Sequence, residues 1–183
     1  MSINTVTAIV LLLAAPAAAA GSALAPACFQ VAARVVDLPI RDGLDICGSA
    51  LRDRHLSARD RGATLVNRGV VKLHAKRYAA AVADFDAALA VAPDLVEAMV
   101  NKGLALIEAG RPADAVVVLD AAIAAVPDRA TAWYARAMAN EEAGATRAAY
   151  EDYVRAAALA PDWAEPADQL KRFTIVRRAT ARG

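Results

Sequence analysis

The chain has 183 residues, 58% of them apolar, 22% charged and 5% aromatic, with a formal net charge of +1. That length suits a single domain, and the near-neutral balance argues against nucleic-acid binding, which needs a basic surface. Alanine and an uncharged leading segment inflate the apolar fraction.

No charged side chain occurs from Met1 to Ala33, and Ala8 to Ala20 is a continuous apolar run. A bilayer-spanning helix needs about 20 apolar residues, so this run is short for a span. Ala18-Ala19-Ala20 before Gly21 fits the small-residue rule for signal-peptidase cleavage. Residues 1–20 are therefore read as a signal peptide, although no Lys or Arg leads the run. A retained membrane anchor facing the periplasm, or a lipoprotein acylated at Cys28, are the alternatives. Export directs the mature chain to a bacterial periplasm.

Cys28 and Cys47 are the only cysteines. An even count in an oxidising compartment points to one disulfide. Free or lipidated thiols are the alternative, since no Cys-x-x-Cys motif suggests redox or metal chemistry. Val31–Val36 and Leu44–Leu51 are predicted as two helices around Asp37–Asp42, a degenerate hairpin over residues 21–57. Ala50-Leu51 resembles Ala88-Leu89, but 88 − 50 is 38 rather than the 34 found further on. Ser57-x-x-Asp60 is predicted to cap the next helix.

From Gly62 to Pro161 the chain repeats. Pro93, Pro127 and Pro161 are each followed by Asp, and 127 − 93 and 161 − 127 are both 34. Small residues recur in the same register: Gly69, Gly103, Ala137; Ala81, Ala115, Ala149; Ala88, Ala122, Ala156. Such positions let helices approach closely. Asp94-x-x-Glu97 and Asp162-x-x-Glu165 read as capping pairs, and Gly110-Arg111-Pro112 as one helix ending where another begins. First helices are predicted near 58–75, 95–109 and 129–143, and second helices near 78–91, 112–125 and 146–159. The units are about 62–95, 96–129 and 130–163, within 58–161. Within residues 162–183, Asp162 to Ala179 is predicted as a capping helix with Trp163, Leu170 and Phe173 inward, its outer face and basic tail carrying Lys171, Arg172, Arg177, Arg178 and Arg182.

The period and the small-residue slots resemble the tetratricopeptide repeat family over about 100 residues. Ala81 with Phe85, Ala115 with Leu119 and Ala149 with Tyr153 fill the family's second-helix pair, and Trp133 its opening aromatic. Arg68, Lys102 and Arg136 depart from the family's first-helix Leu, and Lys72, Leu106 and Asn140 from its Tyr. The resemblance implies an all-α, right-handed superhelical solenoid of helix-turn-helix repeats with a C-terminal capping helix. It also implies a concave face lined by first helices. There the resemblance places Val66, Val70 and Leu73, then Val100, Leu104 and Ile107, then Tyr134, Met138 and Glu141, ringed by Glu97, Glu108 and Glu142. Relatives that hold chaperone tails use Lys, Asn and Arg on these helices. Here Val66, Val70, Asn101, Thr131 and Ala135 stand instead, so only Asn101 matches. Asn67 and Asn101 are read as structural.

No Gly-x-Ser-x-Gly elbow, phosphate loop or paired metal-ligand histidines occur, and Glu141-Glu142 diverge around a helix. The expectation is a non-enzymatic adaptor with no cofactor, no metal and no nucleic-acid partner. It would bind a protein or peptide with apolar anchors and basic residues in the groove. The alternative is a self-associating or membrane-associated envelope assembly protein, the basic C-terminal helix touching an anionic surface.

Overall fold

A helix can seat a large side chain of its neighbour only where it carries almost none of its own, and that rule sets the architecture. The computed structural model describes residues 24–34 and 38–173, and among these are nine helices and no strand. They are α1 (Leu24–Ala32), α2 (Ile40–Leu51), α3 (Ala58–His74), α4 (Tyr78–Val91), α5 (Val96–Glu108), α6 (Pro112–Ala125), α7 (Ala130–Glu142), α8 (Thr146–Leu159) and α9 (Ala164–Leu170). Each packs on the next, and α3, α5 and α7 also touch in succession, giving an all-α helical-repeat solenoid. The signal-peptide reading falls on residues outside those described.

The seam between the two helices of a unit is tight. A Cβ placed on Gly69 would lie 2.5 Å from the Phe85 ring, and one on Gly103 would lie 2.6 Å from Leu119. Phe85, Leu119 and Tyr153 are thereby buried against Gly69, Gly103 and Ala137. Turns follow the same period. Gly110 and Gly144 end α5 and α7 with φ of 73° and 77°, and Lys76 ends α3 with φ of 56°. The left-handed region suits glycine because it has no Cβ to clash.

α3 to α8 begin and end within a residue of the predicted bounds. Ser57 caps α3, its hydroxyl accepting from the Asp60 amide at 3.0 Å. The other two capping pairs are corrected. Leu95 and Trp163 are the N-caps of α5 and α9, with no side-chain cap, because Pro93-Asp94 and Pro161-Asp162 form turns ahead of the helices. The first hairpin also shifts. α1 runs earlier than the predicted Val31–Val36, takes Pro26 into its first turn and carries Cys28 within it.

That hairpin varies the seam. Counted from Ala50 and Ala88, Cys47 falls in the slot of Phe85 and Gly43 in that of Ala81. A Cβ on Gly43 would come within 2.5 Å of Val31. Cys47 is bonded to Cys28, both fully buried, so a covalent link stands where other units seat a large side chain.

The departures from the family's Leu and Tyr act together. In the first unit Arg68 grips Asp84 with two hydrogen bonds of 2.9 and 2.6 Å, and Lys72 adds an ion pair at 2.6 Å. In the third, Arg136 grips Asp152 at 2.9 and 2.7 Å and Asn140 donates to it at 2.9 Å. Both aspartates are buried, 4% exposed. The middle unit has Lys102, Leu106 and Val118 at these places, with no acid and no second donor. Between units, Lys102 pairs with Asp86 at 2.6 Å and Arg136 with Asp120 at 2.5 Å.

α9 keeps the register of a fourth first helix, with Pro166 buried where Ala98 and Ala132 lie. Lys171, exposed and paired with Asp168, stands in the slot of Gly69, Gly103 and Ala137. The predicted capping helix is shorter than Asp162 to Ala179, starting at Ala164 after the Pro161-Asp162 turn and ending at Leu170 in a turn at Lys171-Arg172. Residues 174–183, including Arg177, Arg178 and Arg182, lie outside those described.

Two stability predictions follow from these contacts. Asp152→Val removes two charged hydrogen bonds from the half-buried Arg136 guanidinium, leaving it Asp120, and should lower unfolding free energy by about 2 kcal/mol. Rebuilding the site as in the middle unit, Arg136→Lys with Asn140→Leu and Asp152→Val, should recover most of that in urea melts. Reduction of the disulfide, whose cysteines are 19 residues apart, should lower stability by about 3 kcal/mol from lost loop constraint, read as a reductant-dependent drop in Tm.

Candidate functional site

The apolar stripe on α3, α5 and α7 is one face of each helix, spaced i, i+4, i+7. The structure places it in the core, not in an open groove. Val66, Val70 and Leu104 are fully buried, Val100 and Leu73 nearly so, and Ile107 and Tyr134 are buried as well. The cause is the following first helix. Val66, Val70 and Leu73 share a cluster with Ala98 and Ala105 of α5, and Val100, Leu104 and Ile107 one with Ala132, Ala135 and Ala139 of α7. These alanines let neighbouring first helices close over the stripe. Asn67 and Asn101 are also fully buried. Of the predicted apolar lining only Met138 is part-exposed.

Tyr134 ends the stripe differently. Its ring packs 4.8 Å from Trp163 and 5.4 Å from Tyr153, edge-on to the latter. Tyr150 and Tyr153 in turn meet Phe173 at 5.6 and 5.9 Å. The result is an aromatic plug over the last unit.

In the predicted acidic rim Glu97, Glu108 and Glu141 are part-exposed and engaged within the chain. Glu97 faces Arg129 at 3.4 Å. Glu108 accepts a hydrogen bond from Tyr78, which raises the tyrosine's pKa after a larger contribution from burial. Glu141 accepts from the Tyr153 hydroxyl at 3.1 Å and pairs with Arg172, tying α7, α8 and the end of α9. Glu142 is exposed beside it. Burial first, then Glu141, pushes the Tyr153 pKa well up, and burial raises that of Tyr134.

The paired charges across the units were hidden from a reading of each residue alone. Their signal is a 16-residue interval: Arg68 to Asp84, Arg136 to Asp152, Asp86 to Lys102 and Asp120 to Arg136. Arg136 also lies 4.8 Å over the Trp133 ring, with Arg155 at 5.8 Å, and the indole N–H donates to the Pro127 carbonyl at 2.8 Å. Among the described residues no group of three or more His, Cys, Asp and Glu is placed to hold a metal ion.

Residues 72–139 match the family model described as Tetratricopeptide repeat. Solved structures share the fold. MamA 41-end from Desulfovibrio magneticus RS-1 is 22% identical, with a TM-score of 0.67 over 82% of this chain and 84% of that one. YrrB, described as a TPR protein with an unusual peptide-binding site, is 18% identical, with a TM-score of 0.66 over 80% and 71%. The first TPR domain of human RPAP3 is 20% identical, with a TM-score of 0.59 over 61% and 87%. No curated protein matches the sequence.

The buried tyrosines give a pH prediction. A folded-state pKa raised above the ordinary 10.0 contributes stability that is complete below that pH and lost as pH rises through the folded value. Urea midpoints should therefore fall above about pH 10. Tyr153→Phe should flatten that fall, with tyrosinate absorbance appearing only on unfolding for the native residue.

Proposed function

Since the chain is a tetratricopeptide repeat protein, we propose that it is a non-catalytic interaction module working in an oxidising compartment, the bacterial periplasm. The repeat fold is a scaffold that presents surfaces to protein and peptide partners. The observation that carries the reading is the uninterrupted stack of first helices α3, α5 and α7, with part-exposed side chains facing outward beyond a closed core. The fully buried Cys28–Cys47 disulfide supports the compartment. No helix among the described residues is long and apolar enough to cross a membrane.

The partner contacts the concave side through Met138 and the carboxylates of Glu97, Glu108 and Glu141, with the buried stripe as backing. A segment presenting Lys or Arg beside an apolar anchor fits, because it exchanges one cation for another at Glu97 and Glu141. YrrB, with its peptide site, is a precedent at the level of fold.

Screening a peptide array of basic and apolar sequences tests this. Glu97→Lys with Glu108→Lys should stay folded by circular dichroism and lose bound peptides by about tenfold or more, two rim charges being reversed. Leu104→Glu, at a fully buried position, should instead lose the fold. Peptide binding untouched by the rim variant would reject this site.

A further inference from the structure

Charge is sorted along this chain in a way the net value conceals. Residues 55–77 hold six Lys and Arg against Asp60 alone, whereas residues 78–170 hold fifteen Asp and Glu against six Lys and Arg. Five of those six later bases, Lys102, Arg111, Arg129, Arg136 and Arg147, are paired internally. Asp94, Asp128 and Asp162 are exposed and form no ion pair with a described residue. They sit in the three turns that lead from one unit to the next, so they share one edge of the array.

The opposite edge, where the two helices within a unit are joined, is cationic at its start. Arg34, Lys76 and Arg77 are exposed there and form no ion pair with a described residue. They lie in the α1–α2 and α3–α4 turns, and Arg34 is near enough to His74 to add to the burial that holds this histidine's pKa down. The backbone singles out the same spot. Among the described residues Arg34 and Lys76 are the two non-glycine residues with positive φ, both 56°. Lys76 fills the slot that Gly110 and Gly144 fill in later units. A side chain in the left-handed region costs about 1 kcal/mol, so a lysine there opposes stability while adding charge at the edge.

We propose that Arg34, Lys76 and Arg77 form a contact surface for a second copy of this chain, which presents its Asp94, Asp128 and Asp162 edge. The complementary patches lie on opposite edges and at different positions along the array. Copies therefore join side by side with an offset, a head-to-tail contact in which each copy uses one patch and leaves the other for a further copy. This surface is separate from the concave side, and binding there does not depend on it.

Sedimentation velocity of the full chain at roughly 20 mM and roughly 500 mM salt, where screening reaches contact distance, tests the proposal. Association that grows with concentration at low salt and disappears at high salt is expected. Lys76→Gly should leave the fold at least as stable and weaken association about twofold to fivefold, one surface charge being removed. Lys76→Glu/Arg77→Glu and Asp128→Lys/Asp162→Lys should each stay monomeric, and their mixture should associate again. A monomer at low salt, or association indifferent to salt or to Lys76→Gly, overturns the proposal. So does a monomer that instead floats with phosphatidylglycerol vesicles through Lys76, which would assign the patch to a lipid surface.

Discussion

The array depends on one contact made three times, a large side chain of each second helix set into a first helix stripped to glycine or alanine. Phe85 on Gly69, Leu119 on Gly103 and Tyr153 on Ala137 fix both the distance and the register of the two helices in each unit. Because all three lie 16 residues after their small partner, the turn between the helices is held to one length, and the left-handed residue that makes it falls at 76, 110 and 144. The unit-to-unit geometry inherits this regularity. Alanines of one first helix close over the apolar stripe of the one before it.

Polar residues then distinguish units that the apolar seam makes alike. A buried aspartate is tolerable only with its donors in place, since a lone carboxylate in an interior is strongly disfavoured. The first and third units supply those donors from the slots where the family keeps Leu and Tyr, and the middle unit supplies neither acid nor second donor. The three positions change together, as a single site would. The terminal hairpin uses a third solution, a covalent bond between Cys28 and Cys47 where a small seam and a longer turn leave little to pack.

Much of the fold was legible because a period of 34 writes the same boundaries three times, and α3 to α8 lie where the period and the small residues put them. Two kinds of information were not. The i, i+4, i+7 stripe states that a helix has an apolar face but not whether solvent or a neighbouring helix meets it. Only the alanines at 98, 105, 132 and 139, belonging to another unit, decide that. The charges were misleading one by one, since Arg68 and Arg136 look like lost consensus residues until Asp84 and Asp152 are seen at their 16-residue interval. The first hairpin was displaced because it lies outside the 34-residue period, so no repeated boundary marks where α1 begins.

Lys171 limits how such a chain can lengthen by internal duplication. A further second helix can seat itself on α9 only if that slot is small, and four methylenes with an ammonium occupy it. Copying a unit onto the far side of α9 would produce a helix with no seat. Copying one between two existing units, with both of its seams intact, would not. Arrays descended from this one should vary in number among the units ahead of α9.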